Sequence, residues 1–526
     1  MRILYYNWAD YLDRERRGGG VSVYQRNVIN GMAAHEDIET AFLSSGLSQE
    51  FLRRKPHVIT VEGGKSPRYT LVNSGLIAPS HADFGGRAQL DDPATEAAFA
   101  DFVDRTGPWD VIHFNNLEGL PANVLNLKRR WPGTKFVLSL HNYYPFCPQV
   151  NLWYAEREHC DDFHGGSSCT RCLAAQPEPR SIRTAYAIAW TFARTGLGPG
   201  TRFYDHVFRP AMRLAWRSLR RILNVRRRRQ MAEPVRLVAA GAGAGASASA
   251  QAAQGGNVPT VIPAASDDQR RAHPKPSSAT PAEAFARRRA RFVSLINAHC
   301  DSVLCVSDRV RQIALHHGIH ASKLQTSYIG SAEAGEWHYS RPRTTFLHED
   351  GTLRIAYLGY MRRDKGYHFL MRALAALPAE QAARVRLKLA ALPGDGEAMG
   401  LLADLRGHLA EVTHIAGYSH DDLKTMLADV DLGVVPVVWE DNLPQVAIEM
   451  HSRHIPLITS DRGGAQELGR CNDLVFRADS IDAFHKVMSR LLDGSVTPAN
   501  YWANAIAPVS VQTHIEELLQ IYRETP

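Results

Sequence analysis

Two carboxylates eight positions apart, Asp441 and Glu449, stand in the stretch WEDNLPQVAIE at residues 439–449. An apolar run at 432–438 leads into them, and the pattern from Met450 onward is helical. The first acid therefore occupies the loop at the carboxyl end of a strand, and the second follows about two helical turns on. Open α/β sheets bind their ligands at this place. Two acids so arranged can accept hydrogen bonds from several hydroxyls of a polyol. Cations that could face an anion come in LGYMRRDKG at 358–366, where Arg363 and Lys365 follow another strand and could grip a leaving diphosphate. A solvated basic loop is the plain alternative.

Three further features have the types and places for ligand contact. Gly18, Gly19 and Gly20 follow the first strand and precede an amphipathic stretch at 21–34. Glycines permit a tight turn, and a helix N-terminus offers free N–H groups to a diphosphate; a flexible surface loop reads equally well from the glycines alone. His141 ends the apolar run 136–140, where it could face a cleft, or be structural as lone histidines often are. His113, near the end of another strand, is similar to His141, and Asn115 and Asn116 after it could shape an acceptor side. Gly417 and Tyr418 end a third, where stacking or backbone hydrogen bonds are open to a ligand, with a core role for Tyr418 as the alternative.

The cysteines Cys147, Cys160, Cys169 and Cys172 form a C-x12-C-x8-C-x2-C cluster. Its final pair has the spacing of thiolate ligands for a structural zinc, with reduced, packed thiols as the alternative. Asp429 and Asp431 have a metal-like spacing but cap the helix before a buried strand, so no catalytic metal is implied. Asp461, Gly463, Gly464 and Glu467 form a late loop whose acids are candidates for helix capping.

The elements that must position these groups alternate between strand and helix. Apolar runs at 2–6, 110–114, 135–140 and 302–307 read as parallel strands of one unit. Runs at 353–359, 384–390, 414–417, 432–438 and 455–460 read as a second. With 526 residues, more than one domain is expected. The expected organisation is a first unit over 1–172 and 291–335, a basic insertion over 173–290, a second unit over 350–505 and a terminal helix over 506–526.

The formal net charge of +7 is concentrated. Residues 173–291 hold 21 Lys/Arg against 6 Asp/Glu, a net +15, which leaves −8 for the remainder. Basicity is thus a property of one segment, and a general nucleic-acid-binding body is not expected. Residues 241–256 are Ala/Gly/Ser low complexity and read as disordered. Residues 203–230 mix apolar side chains with arginines, as does an amphipathic helix lying on anionic lipid; a nucleic-acid contact or a solvated helix are the alternatives. No run approaches a membrane span, no secretory signal precedes Asn7, and seven cysteines do not suggest a disulfide framework. The expected location is the cytoplasm, peripherally on the inner face of the membrane if that helix binds lipid.

Taken in chain order, the sequence GGGVSVYQRNVINGMAA, the strand-end His141, Lys365-Gly366 and the acids Asp441 and Glu449 resemble the family 4 glycosyltransferases, whose paired acids are separated by seven residues. Asp441 stands where most members have Glu. Tyr360 stands where they carry Arg, and Arg362 or Arg363 is the candidate replacement. The resemblance implies an α/β fold of two Rossmann-like doubly wound domains facing a cleft (the GT-B fold), with the terminal helix crossing back to the first. It implies retaining transfer of a sugar from a nucleoside diphosphate donor to a carbohydrate or lipid-linked hydroxyl, in surface polysaccharide or glycolipid synthesis, with no further cofactor. Catalytic roles fall to Asp441, His141 and Lys365. Donor contacts fall to Gly19, Gly20, Arg363, Lys365, Gly417, Tyr418, Asn442, Leu443 and Glu449. A subgroup of the family is similar around the cysteines, which would brace the acceptor loop. Three rivals remain: a sugar-nucleotide 2-epimerase of the same fold, a sugar-nucleotide-binding protein without turnover, and a nucleic-acid or membrane-binding protein acting through the basic insertion.

Overall fold

The computed structural model describes residues 1–15, 17–173, 178–212, 214 and 280–524. Two sheets organise it. In the first, β1 (Arg2–Asn7), β2 (Glu39–Ser45), β4 (Arg68–Val72), β5 (Val111–Phe114), β6 (Lys135–Leu140), β9 (Ser302–Cys305) and β10 (Leu324–Thr326) run parallel. The edge strand β3 (His57–Val61) is antiparallel to β4. The spatial order is β10-β9-β6-β5-β1-β2-β4-β3. A small hairpin, β7 (Trp153–Tyr154) and β8 (Glu158–His159), stands apart. The second sheet is wholly parallel: β11 (Leu353–Tyr360), β12 (Val385–Leu392), β13 (Glu411–Ile415), β14 (Leu432–Val435), β15 (Leu457–Ser460) and β16 (Val475–Phe476), in the order β13-β12-β11-β14-β15-β16.

Continuous apolar strands such as β14 (LGVV) and β6 (KFVLSL) are buried at every position, as expected where helices cover both faces of a parallel sheet. The helices relevant to the site are α1 (Gly19–Met32), α2 (Pro93–Thr106), α3 (Pro179–Arg194), α4 (Pro281–His299), α5 (Asp308–His316), α6 (Tyr367–Ala375), α7 (Gly396–Leu405), α8 (Gln445–His451), α9 (Ile481–Leu492) and α10 (Val511–Arg523). Side-chain caps start several of them: Asp92 for α2, Ser307 for α5, Asp395 for α7 and Ser510 for α10. The two strand series expected from the sequence are both present, and with them the two Rossmann-like halves. Strands β2, β3 and β4 were not among the expected ones.

Residues 1–198 and 280–526 form one compact unit, and 199–279 a second. The sequence boundary for the insertion, 173–290, is therefore too wide. Helix α3 is tied to the first unit by Arg183, which donates to the carbonyl of Ser74, and by Tyr186, whose hydroxyl donates to the carbonyl of Ala78. Helix α4 buries Arg288, whose guanidinium donates to Gln89 and to the carbonyl of Tyr144. These cations satisfy backbone carbonyls inside the fold, which a count of charges along the chain does not reveal. The low-complexity stretch at 241–256 and most of the basic segment at 203–230 lie outside the described residues. Among the described residues no helix is long and apolar enough to cross a membrane.

The terminal helix α10 crosses back to the first half. The Tyr24 hydroxyl on α1 meets His514 Nε2 at 2.9 Å, and Gly31 lets Ile515 lie where a Cβ would sit 2.0 Å away. The Tyr522 hydroxyl reaches His113 Nδ1 at 2.5 Å. His113, fully buried and also bonded to Ser139, is thus part of the core and not a cleft-facing strand-end His.

Candidate active site

The loops leaving β11 and β14 meet at one ion pair. Lys365 Nζ lies 2.6 Å from Asp441 Oδ2 and 5.0 Å from the centroid of the Trp439 ring. Asp441 is 7% exposed, so the pair is shielded from water on most sides. Gly366 makes this approach possible. It has φ +73°, and a Cβ there would lie 1.7 Å from the carbonyl oxygen of Pro436. Neither neighbouring arginine joins the pair. Arg362 binds Asp364, and Arg363 binds Glu397 on α7 in an exposed pair. Tyr360 is 58% exposed, with its carbonyl held by the Tyr357 hydroxyl.

Glu449, on α8, lies with its Oε1 3.3 Å from His420 Nε2. Its Oε2 is buried without any hydrogen-bond partner. Burial raises its carboxyl above the usual range against the opposing pull of His420, and it in turn helps to raise the Tyr418 hydroxyl, itself raised first by burial. A buried carboxylate oxygen without a donor costs free energy, and hydroxyls of a ligand would remove that cost. Gly417 has φ +97° and closes against Leu392, which turns the chain from β13 toward Tyr418.

From the first half, His141 stands at the end of β6 with its ring 4.6 Å from that of Tyr24. Its Nε2 is buried and unpartnered. Burial holds its pKa down to about 3, helped by His514, so the ring is neutral near pH 7 and offers a single N–H or a lone pair rather than a charge. Gly19 has φ +55° and opens α1, and a Cβ on Gly20 would come 3.4 Å from Gln445 Cγ at the start of α8. The glycine loop thus lies against the helix that carries Glu449. Gln25 and Ser22, on the buried face of α1, also have unpartnered polar atoms. Asn442 Nδ2 donates to the carbonyl of Leu140 at 3.3 Å, joining the acid loop to the strand end that bears His141. Leu443 is buried and lines a small apolar gap with Ile448, Leu468 and Ile506. Its side chain packs there.

A second carboxylate network joins the halves and was missed in the sequence. Glu440 is fully buried. It accepts two hydrogen bonds from Arg309 on α5, at 2.5 and 2.9 Å, one from Arg462 at 3.2 Å and one from the N–H of Gly463 at 3.0 Å. His159 of the β7–β8 hairpin lies 3.8 Å away. Burial works to raise the Glu440 carboxyl, but Arg309 overcomes it and the group lies below its ordinary value. Glu467 accepts from the N–H groups of Asp308 and Arg309, at 2.8 and 2.6 Å, and from the Tyr328 hydroxyl. It therefore caps α5 of the first half from the second half, where a negative charge is favoured. Gly463 and Gly464 allow this crossing: Cβ atoms there would lie 2.0 Å from the carbonyl oxygen of Asp441 and 2.4 Å from that of Asn442. The neighbouring EDN run masked Glu440, since spacing to Glu449 singled out Asp441 alone.

The cysteines Cys147, Cys160, Cys169 and Cys172 lie within electrostatic reach of one another. Burial raises Cys160 and Cys172 to about 11 and Cys169 to about 12. Cys172 Sγ bonds Gln149 and Cys160 Sγ bonds the Asp162 carbonyl. Among the described residues no group of three or more His, Cys, Asp or Glu side chains is placed to hold a metal ion. Asp429 pairs with Lys388, and Asp431 with Arg343 and His348, as structural residues.

Comparison with known proteins adds to this geometry. Residues 352–494 match the family model described as Glycosyl transferases group 1. No curated protein matches the chain. Among solved structures, an α,α-trehalose-phosphate synthase (UDP-forming) from Burkholderia xenovorans in complex with glucose-6-phosphate aligns over 100% of both chains at 12% identity and a TM-score of 0.53. Sucrose-phosphate synthase from Thermosynechococcus elongatus aligns over 99% of this chain and 98% of its own, at 13% identity and a TM-score of 0.52. HepE from Anabaena, in complex with UDP, aligns over 99% of both, at 12% identity and a TM-score of 0.52. The structural likenesses establish the fold, two Rossmann-like domains of the GT-B type, and the match of the second half to the glycosyl transferases group 1 supports a glycosyltransferase enzyme.

Proposed function

We propose that the protein moves a sugar, with retention of its anomeric configuration, from a nucleoside diphosphate donor to an acceptor hydroxyl. One observation carries the reading: a cation and an acid, Lys365 and Asp441, meet 2.6 Å apart, while Glu449 Oε2 and His141 Nε2 are buried without partners. In this reading Lys365 takes the diphosphate and Asp441 the sugar hydroxyls. Their contact marks the level of the sugar–phosphate bond. Glu449 holds the ribose hydroxyls beside Tyr418, and the amides after Gly19 and Gly20 add donors to the diphosphate. His141, neutral, bonds the sugar near the reacting carbon.

As the sugar–oxygen bond breaks, negative charge develops on the diphosphate, and Lys365 stabilises it more than it does the intact donor. The acceptor oxygen then bonds to the anomeric carbon from the side the diphosphate leaves, and its proton passes to a departing phosphate oxygen. The protein supplies position and charge. The Glu440 and Glu467 contacts hold the halves together and limit water. The match to UDP-bound and UDP-forming neighbours in fold makes a UDP-sugar the first donor to try. A cell-envelope polysaccharide or a lipid-linked oligosaccharide fits as the acceptor class.

The test is transfer from a panel of UDP- and GDP-sugars, with the product anomer read by NMR. Asp441→Asn and Lys365→Met should each lower the rate by about a hundredfold or more, with the fold retained by circular dichroism. Inverted product would refute retention, and epimerised donor without transfer would replace the reading with an epimerase. Near-normal rates in both variants would remove the pair from the mechanism.

A further inference from the structure

The loop after β2 carries a feature that sugar transfer does not use. Phe51 is 52% exposed and Leu52 is 100% exposed. Arg53, Arg54 and Lys55 follow, all exposed, and none of their side chains pairs with a carboxylate among the described residues. Two large apolar side chains at a convex tip, followed by three free cations, gain nothing within this fold. Yet the tip is firmly held. Asn73, 8% exposed and at φ +59°, donates its N–H to the carbonyl of Ser48 at 2.9 Å. Its side-chain oxygen accepts from the N–H of Glu50 at 2.8 Å, and its side-chain amide donates to the carbonyl of Arg53. A non-glycine residue in the left-handed region is uncommon, and here it clamps the loop on both sides of the apolar pair.

Position strengthens the case. β2 is parallel to β1, so the loop leaves the same end of the sheet as the glycine loop and His141. Helix α3 hangs from the next residues through Arg183, which donates to the carbonyls of Ser74 and Gly75. That helix ends in exposed Arg194, with Leu197 43% exposed beyond it.

We propose that residues 51–55 dock on an anionic lipid surface, with Phe51 and Leu52 entering among the headgroups and Arg53, Arg54 and Lys55 meeting lipid phosphates. Leu52, 100% exposed, has no neighbouring wall to help grip a folded partner, whereas a deformable surface closes around it. Apolar burial and cation attraction are the two signals that together give stable peripheral binding. The proposal concerns vesicle binding alone and stands apart from the transfer reading.

The full chain is sedimented with vesicles of phosphatidylcholine alone and of phosphatidylcholine mixed with phosphatidylglycerol. Binding to the mixed vesicles, weakened by salt, is expected. Phe51→Ser with Leu52→Ser should lower partitioning roughly tenfold or more, and Arg53→Gln, Arg54→Gln and Lys55→Gln together roughly a hundredfold, with unchanged thermal unfolding. Wild-type binding by both variants would overturn the proposal and assign any vesicle binding to residues 199–279; no binding by the wild type would overturn it too. A Leu52→Trp variant is the independent check: quenching by brominated lipid beyond that of the wild type supports insertion, and its absence refutes it.

Discussion

At the residue scale the site is a set of charges that answer one another and a few polar atoms that nothing answers. Lys365 and Asp441 satisfy each other at 2.6 Å, so removing either leaves its partner with a part-buried charge. Glu440, one residue before Asp441, plays a different part, neutralised by Arg309 from the other half and by Arg462 of its own. Glu440→Gln should weaken closure and lower kcat/KM for transfer about tenfold or more. The Kd for UDP should change little, because the donor is held mainly by the second half. Steady-state kinetics with UDP titration would decide, and an equal loss in both would make Glu440 a donor ligand instead. The sequence made Asp441, Glu449, Lys365 and His141 legible because each follows an apolar run. It did not reveal Glu440, whose partner Arg309 is more than a hundred residues away, nor that Arg363 is drawn off by Glu397.

Elements bring these residues together through glycines with little room to spare. Gly463 has φ +73° and passes 2.0 Å, at its would-be Cβ, from the carbonyl oxygen of Asp441. Gly463→Ala should displace the acid loop and abolish most transfer while the protein stays folded, read by activity beside circular dichroism; full activity would show that the loop has slack. Helix α10 is the other joint. Its Tyr522, His514 and Ile515 fill the back of the first sheet, so truncation before Val511 should lower the thermal midpoint by several degrees or more. An unchanged midpoint would contradict that packing. The strand series was legible because parallel strands are short apolar runs with helical spacing between them. Strands β2 and β4 were not, since TAFLSS and RYTLV carry polar residues whose hydroxyls bond across the two strands, Ser44 donating to the Tyr69 carbonyl and Thr70 to the Ser44 carbonyl. The folded margins of the basic segment also escaped notice, because Arg183 and Arg288 count as charges in a sequence but serve as buried donors in the fold.

The molecule as a whole buries neutral imidazoles that an unfolded chain would protonate. Burial lowers His141 to about 3 and His451 to about 4, and pushes His113 well below its ordinary value. Between about pH 6.5 and 4 the unfolded chain therefore binds more protons at these sites, and stability falls as pH falls, by about 1.4 kcal/mol per pH unit for each fully neutral histidine. Glu440, depressed by Arg309, adds to the loss only at lower pH, as its carboxyl protonates. Denaturant unfolding at several pH values would show this slope, and a flat profile across that window would contradict the burial. The most direct measurement is the binding of UDP and GDP by calorimetry to the wild type and to Glu449→Ala. Selective binding of one nucleotide, weakened about tenfold or more in the variant, is the predicted result; no binding of either, or equal binding by both proteins, would contradict the site.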